Sequence, residues 1–177
     1  MYLGLDLSLT QTGWAVVDKK GTKIASGIFP YKISEVTLRK KVERLINIET
    51  DVFALFEKYK IKAVGVEGYA FATRNTNNLV NLGELGGVIR RGLFLVGHDP
   101  LEVPPTKVKL FGTGKGNCNK DLILLQVFKK YGEEFATSDE ADAFIISQIV
   151  RLVDEYASAG KIAETLTEYQ KRALKEF

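Results

Sequence analysis

Three short β-prone runs fill the first 29 residues, and they constrain the fold more than anything later in the chain. Tyr2 to Leu7, Thr12 to Asp18 and Thr22 to Phe29 are rich in Leu, Val, Ile and Thr, with polar breaks between them. Lys19-Lys20-Gly21 is a link of hairpin length, so the runs read as consecutive antiparallel strands. One residue is out of place. Asp6 lies between Leu5 and Leu7, inside a strand that should feed the core.

The remaining segments define what packs on this sheet. From Ser34 to Tyr59 the apolar residues Leu38, Val42, Leu45, Ile46, Phe53 and Phe56 recur at three- and four-residue steps, which predicts an amphipathic helix with those side chains inward. Ile61 to Glu67 reads as a short buried strand that ends in an acid. Asn75 to Val96 carries Leu79, Leu82, Leu85, Ile89 and Leu93, with Gly83, Gly86 and Gly87 among them. Glycine weakens a helix, so these three predict close approach to a sheet or another helix. Leu101 to Val103 is a further strand, stopped by Pro104-Pro105, followed by a short helix through Leu110, the loop GTGKGN and a helix from Lys120 to Tyr131. Ser138 to Tyr156 and Ala163 to Lys175 are helical by pattern. The order predicts an α/β fold in which a mixed five-stranded sheet is flanked by helices on both faces. With 177 residues, 45% of them hydrophobic, one domain is expected, residues 1–157, with 158–177 as its helical extension.

Composition narrows the function. The chain has no uncharged apolar run of membrane-spanning length and no basic leader before an apolar stretch, so a cytoplasmic protein without membrane contact is expected. A single cysteine, Cys118, excludes an internal disulfide and a multi-cysteine zinc site. Read plainly, it is a small loop residue rather than a thiol nucleophile served by the single histidine, His98. Charge is uneven: residues 58–130 hold 12 Lys and Arg against five acids, and residues 131–177 hold five against ten. A basic middle with Lys107, Lys109 and the loop from Lys115 to Lys120 suits a phosphate backbone, as it would suit plain solvation.

Three acidic features share the oddity of Asp6. Glu67 closes the fourth strand, and TSDEADAFIISQIV sets Asp139 and Asp142 three apart at the start of an apolar helix. Residues three apart share a helix face, so both can point to the sheet while Glu140 points elsewhere. Thr137 and Glu140 match a capping box. Taken singly, each acid could be a solvated strand end or a helix-terminus charge. Four converging carboxylates would repel one another unless cations or protons intervened. Hard divalent ions, magnesium or manganese, take oxygen ligands of this kind, and two of them can drive an in-line phosphoryl displacement.

The stretches LGLDLSLTQTGWAVV, AVGVEGYAF and SDEADAFIISQI, in this order, resemble those of RuvC-type Holliday junction resolvases with an RNase H-like fold. NLGELGGVIRRGLF and PPTKVKLFGTGKGNCNKDLI resemble that family's long helix and lysine-bearing segment, and the likeness runs from Tyr2 to about Val150. It implies a homodimer that cuts Holliday junctions or other branched DNA, with two magnesium ions per site and manganese as a substitute. Asp6, Glu67, Asp139 and Asp142 match the metal-binding acids. Lys120 matches the lysine that offsets transition-state charge, and Lys109 one that touches DNA phosphates, with Lys107, Lys115 and Arg74 as further DNA contacts. The aromatic wedge beside the junction is matched by Phe71, or else by Tyr69. Leu7-Ser8 stands where many members have Pro-Gly. Three other readings fit part of the pattern: an actin-like kinase or ATPase, for which the chain is short; another RNase H-like nuclease acting on RNA or an RNA–DNA hybrid; and a non-catalytic nucleic-acid-binding protein.

Overall fold

The computed structural model describes residues 1–69 and 76–177, with side chains omitted for 76–78. Five strands form one sheet: β1 (Tyr2–Asp6), β2 (Gln11–Val17), β3 (Lys23–Pro30), β4 (Ala63–Glu67) and β5 (Leu101–Val103), in the order β3-β2-β1-β4-β5. β1, β2 and β3 pair antiparallel, whereas β4 joins β1, and β5 joins β4, in parallel. The hairpin forms where expected. The Asp18 carboxylate accepts from the amides of Lys20 and Thr22, and Gly21 takes the left-handed conformation that the turn needs (φ 82°).

Helices cover both faces. α1 (Leu38–Lys58) and α2 (Thr76–Leu95) close one side over Leu3, Leu5, Val16, Val64 and Val66. The other side is covered by α3 (Pro105–Thr113), α4 (Lys120–Tyr131), α5 (Ser138–Ala159) and α6 (Glu168–Leu174). Side chains alternate across a strand, so Leu3 and Leu5 face α1 while Gly4 and Asp6 face α5. β4 repeats the rule: Val64 and Val66 go one way, Gly65 and Glu67 the other.

The long central helix α5 lies directly on this second face because glycines make room for it. A Cβ on Gly4 would sit 2.0 Å from the Ala143 carbonyl, one on Gly13 2.2 Å from the Asp139 carbonyl, and one on Gly65 2.3 Å from Val150 Cγ2. No side chain fits in such a gap. α5 therefore buries nearly every residue from Ala141 to Leu152, including Ser147 and Gln148.

The structure departs from expectation in three elements. α1 points Ile48, Val52 and Leu55 into the core, while Leu38, Val42 and Ile46 are exposed. A helix of 21 residues is about 32 Å long, longer than the five-residue strands beneath it, so its first turns overhang the sheet. In α2, Gly86 and Gly92 do meet neighbours, Tyr69 and Phe53, but Gly83 and Gly87 meet none among the described residues. Lastly, α6 starts only at Glu168. Thr167 and Gln170 form a full capping box that fixes the start there, and 160–166 instead run over the core as irregular chain, with Ile162 and Leu166 packed inward.

No helix among the described residues is long and apolar enough to cross a membrane. His98 packs on Phe56, with ring centroids 4.9 Å apart, under the α1–α2 layer, whereas Cys118 lies in the α3–α4 link on the opposite layer. The two are not a nucleophile and its base.

Candidate active site

Asp6 is the last residue of β1 and not a mid-strand insertion. Pairing of Leu5 with Val66 puts Asp6 and Glu67 side by side where two parallel strands end, on the α5 face. The chain after Asp6 is clasped at once: Thr12 Oγ1 donates to the Ser8 carbonyl (2.7 Å) and accepts from the Ser8 amide (3.1 Å), and Thr12 is fully buried. This clasp holds the loop at the position of Leu7-Ser8.

α5 brings the other two acids. Its start is set by Thr137, whose hydroxyl accepts from the Glu140 amide (3.2 Å). The reciprocal half of a capping box is not made, because Glu140 turns away to accept from Ser26 Oγ (2.6 Å) and the Ala136 amide. Gly13, paired with Asp6, leaves the gap through which the first turn of α5 descends beside β1. Asp139 and Asp142 then face the ends of β1 and β4.

Electrostatics show that the four acids form one cluster. Burial, then the neighbouring Glu67 and Asp142, push the Asp6 carboxyl well above the ordinary aspartate range, and a hydrogen bond joins it to Glu67. Burial likewise raises Glu67, against the pull of Asp6's hydrogen bond and of Lys109. Asp142 is pushed up to about 7, by burial first and by Glu67 and Asp139, with Lys109 and Lys120 opposing. Its Oδ1 is buried and has no hydrogen-bond partner among the described residues. An acceptor left bare among other carboxylates is what a cation would satisfy.

Among the described residues no three acids already stand in a finished ligand set around one point. The donors still fit hard cations: all are carboxylates, one oxygen is bare among the described residues, and Asp6 and Glu67 lie side by side at the ends of two neighbouring strands.

The lysines divide. Lys120, first residue of α4, reaches Asp139 Oδ1 at 3.3 Å with its side chain 78% exposed. Ser138 Oγ donates to the same oxygen (3.0 Å). Lys109, on α3, is near enough to Glu67 and Asp142 to ease their ionisation. Lys107 turns the other way, donating to the Lys175 carbonyl and lying over the Phe177 ring. Lys115 is exposed in the α3–α4 link. Tyr69 lies just beyond Glu67. Phe71 and Arg74 fall outside the described residues.

One residue of the site had no clear signal in the chain. Arg90 of α2 donates to Tyr69 Oη (2.7 Å) and to the Glu67 carbonyl (3.3 Å), and pairs with Glu102 of β5 (3.0 Å). It ties the end of β4 to its flanking helix and strand. Gly86, one turn earlier, is its trace: a Cβ there would sit 2.2 Å from Arg90 Nη1.

Comparison with known proteins agrees with this geometry. Residues 2–149 match the model of the family described as crossover junction endodeoxyribonuclease RuvC. The protein of that name from Brachyspira hyodysenteriae is 30% identical over 148 residues, covering 82% of this chain and 89% of that one. Its counterpart from Parvibaculum lavamentivorans is 31% identical over 129 residues, covering 71% of each. Among solved structures, Thermus thermophilus RuvC in complex with a Holliday junction substrate superposes with a TM-score of 0.70 at 21% identity, over 89% of this chain and 95% of that one. The sheet order and the helices on both faces are thus those of an RNase H-like fold.

Proposed function

Because the chain belongs to the crossover junction endodeoxyribonuclease RuvC family, we propose that it cuts four-way DNA junctions by metal-dependent phosphodiester hydrolysis at the pocket of Asp6, Glu67, Asp139 and Asp142. The observation that carries the reading is the buried Asp142 Oδ1, bare among the described residues and beside three other carboxylates. Asp6, Glu67, Asp139 and Asp142 would hold two magnesium ions, with manganese an acceptable substitute, and such a pair supplies a nucleophilic water and neutralises the leaving oxygen.

The protein's own side chains do the rest. Asp6 and Glu67, both raised by burial, must be ionised to ligate. Lys109 eases ionisation of Glu67 and Asp142 by attracting the charged forms. Lys120, held at Asp139 but exposed, faces the solvent side, where it can meet charge that builds on a phosphate during cleavage. Arg90 keeps the Glu67 backbone in place. Tyr69, and Phe71 with Arg74 beyond it, would meet the DNA next to the cut, and Lys115 an outlying phosphate. Lys107, bound to the C-terminal segment, is the weakest of the proposed DNA contacts.

Two opposed cuts need two active centres, which a two-fold dimer provides. α2 offers the surface for one: Gly83 and Gly87 meet no other described residue, and Phe94 and Leu95 on the same helix are more than half exposed. Residues 158–177 complete the core of the same domain, since Ala173 is fully buried in it. The test is cleavage of four-way, three-way, flapped and linear DNA side by side in magnesium, with sedimentation of the free protein. Preference for the four-way substrate by a dimer supports the reading; equal cutting of linear duplex, or no cutting, overturns it.

A further inference from the structure

We infer that the cleft between the overhanging start of α1 and the first half of α2 is a second DNA site, which holds backbone phosphates outside the cleavage centre through Lys32, Lys41 and Arg44. The inference rests on the nuclease reading above and adds to it a place for the DNA arm.

The cleft encloses about 740 Å³ and is lined by those three cations with Thr10 and Asn81, a single acid, Glu84, and an apolar wall that includes Val36 and Val80. Arg44 Nε is buried and has no acceptor among the described residues. Its neighbours on the same helix behave differently. Arg39 and Lys40 both pair with Glu43, at 2.8 and 2.9 Å, whereas no side-chain hydrogen bond or ion pair engages Lys32, Lys41 or Arg44 among the described residues. Donors kept bare in a concave basic site await an anion, and a guanidinium fork suits the oxygens of a phosphate.

The site is also held in shape and in range. The Tyr31 amide donates to the Thr10 carbonyl (3.0 Å), and the Tyr31 hydroxyl donates to Asp51 of α1, so the segment bearing Lys32 is fastened to the loop after β1 and to the helix bearing Arg44. Thr10 is four residues past Asp6, hence within about 14 Å of it along the chain. That is about four base steps along one strand. A strand lying across the acid pocket can therefore reach the cleft without bending sharply. A second copy of the chain is the other candidate occupant, but the dimer surface proposed above is the apolar face of α2 with Phe94 and Leu95, which do not line this basic cleft.

The experiment measures binding of a four-way junction across a salt series, without divalent ions, for the wild type, Lys32→Gln, Lys41→Gln, Arg44→Gln and Arg44→Lys, with melting and sedimentation of each. Each lost phosphate contact should make the slope of log affinity against log salt shallower by about 0.9. Arg44→Lys, which keeps the charge, should keep the slope and confirm that the site tolerates change. Unaltered slopes in all three glutamine variants, each folded by melting, overturn the proposal. So does a shift in self-association with the slopes unaltered, which would give the cleft to a second copy. If the wild type binds DNA with these slopes yet cuts no junction in magnesium, the cleft stands and the nuclease reading falls.

Discussion

The two faces of β1 are built from one five-residue strand and do opposite work. Towards α1 it offers Leu3 and Leu5, both fully buried, which fill space and hold the layer by their bulk. Towards α5 it offers Gly4 and Asp6, which leave space. The glycine lets a helix backbone come close, and the acid waits at the end of the groove so made. β4 does the same with Val64 and Val66 against Gly65 and Glu67. One face of the sheet is stabilised by what it contains, and the other becomes a site through what it omits.

Substitutions on the two faces should therefore fail in different ways. The largest separation is expected between Asp6→Asn, Glu67→Gln or Asp142→Asn and a core truncation such as Leu5→Ala. Each amide keeps the shape of its acid but removes a charged ligand, so cleavage in magnesium should fall to background while junction binding persists. Leu5→Ala should cost about 2–5 kcal/mol of stability yet leave the rate per folded molecule nearly intact. Near wild-type cleavage by Asp6→Asn would end the metal-site reading. Gly13→Ala should come next: its Cβ has nowhere to go but into the backbone of Asp139, and displacing that turn by about 1 Å should slow cleavage about 100-fold. Melting and single-turnover rates measured together would show whether the loss is geometric.

Lys120→Ala should have a smaller effect, about tenfold on the single-turnover rate, because its exposed ammonium acts partly through water. Magnesium affinity should stay unchanged, and a matching loss of affinity would make Lys120 a support for Asp139 instead. The smallest effect is on the metal-free protein. Asp142, pushed up to about 7, holds its proton in the native state at a pH where the unfolded chain has lost it, and Asp6 and Glu67 are raised in the same sense. Stability should then fall as pH rises from about 4 to beyond 7, and melting in a chelator should drop by on the order of 5 °C between pH 5 and 8. Asp142→Asn should flatten that slope. A flat wild-type curve would mean the acids are less crowded than the geometry indicates.

The same contrast explains what could be read from the chain. All five strands and α4 follow from runs and breaks, and the four acids stand out because each sits where an apolar pattern or a strand end makes charge conspicuous. Periodicity misplaced the outer half of α1, because Leu38, Val42 and Ile46 continue the stripe past the point where a sheet exists to cover it. Gly83 and Gly87 look in sequence like Gly86 and Gly92, although among the described residues only the latter pair meets other side chains. Arg90 was invisible for a similar reason. An arginine on a helix is ordinary until the fold brings the Glu67 carbonyl, Tyr69 and Glu102 around it.

The seating of α5 on β1 and β4 also affects the timing of synthesis. Asp6 emerges early, but its partners Asp139 and Asp142 are more than 130 residues further on, and the glycine-lined groove stays empty until their helix arrives. At elongation rates of about 5–20 residues per second, some 7–27 s separate the first acid from the last. Contacts this distant in sequence also form late in folding. A growing or broken chain thus carries two carboxylates on an uncovered sheet and no assembled pocket, so the capacity to hydrolyse DNA would be withheld until most of this domain exists.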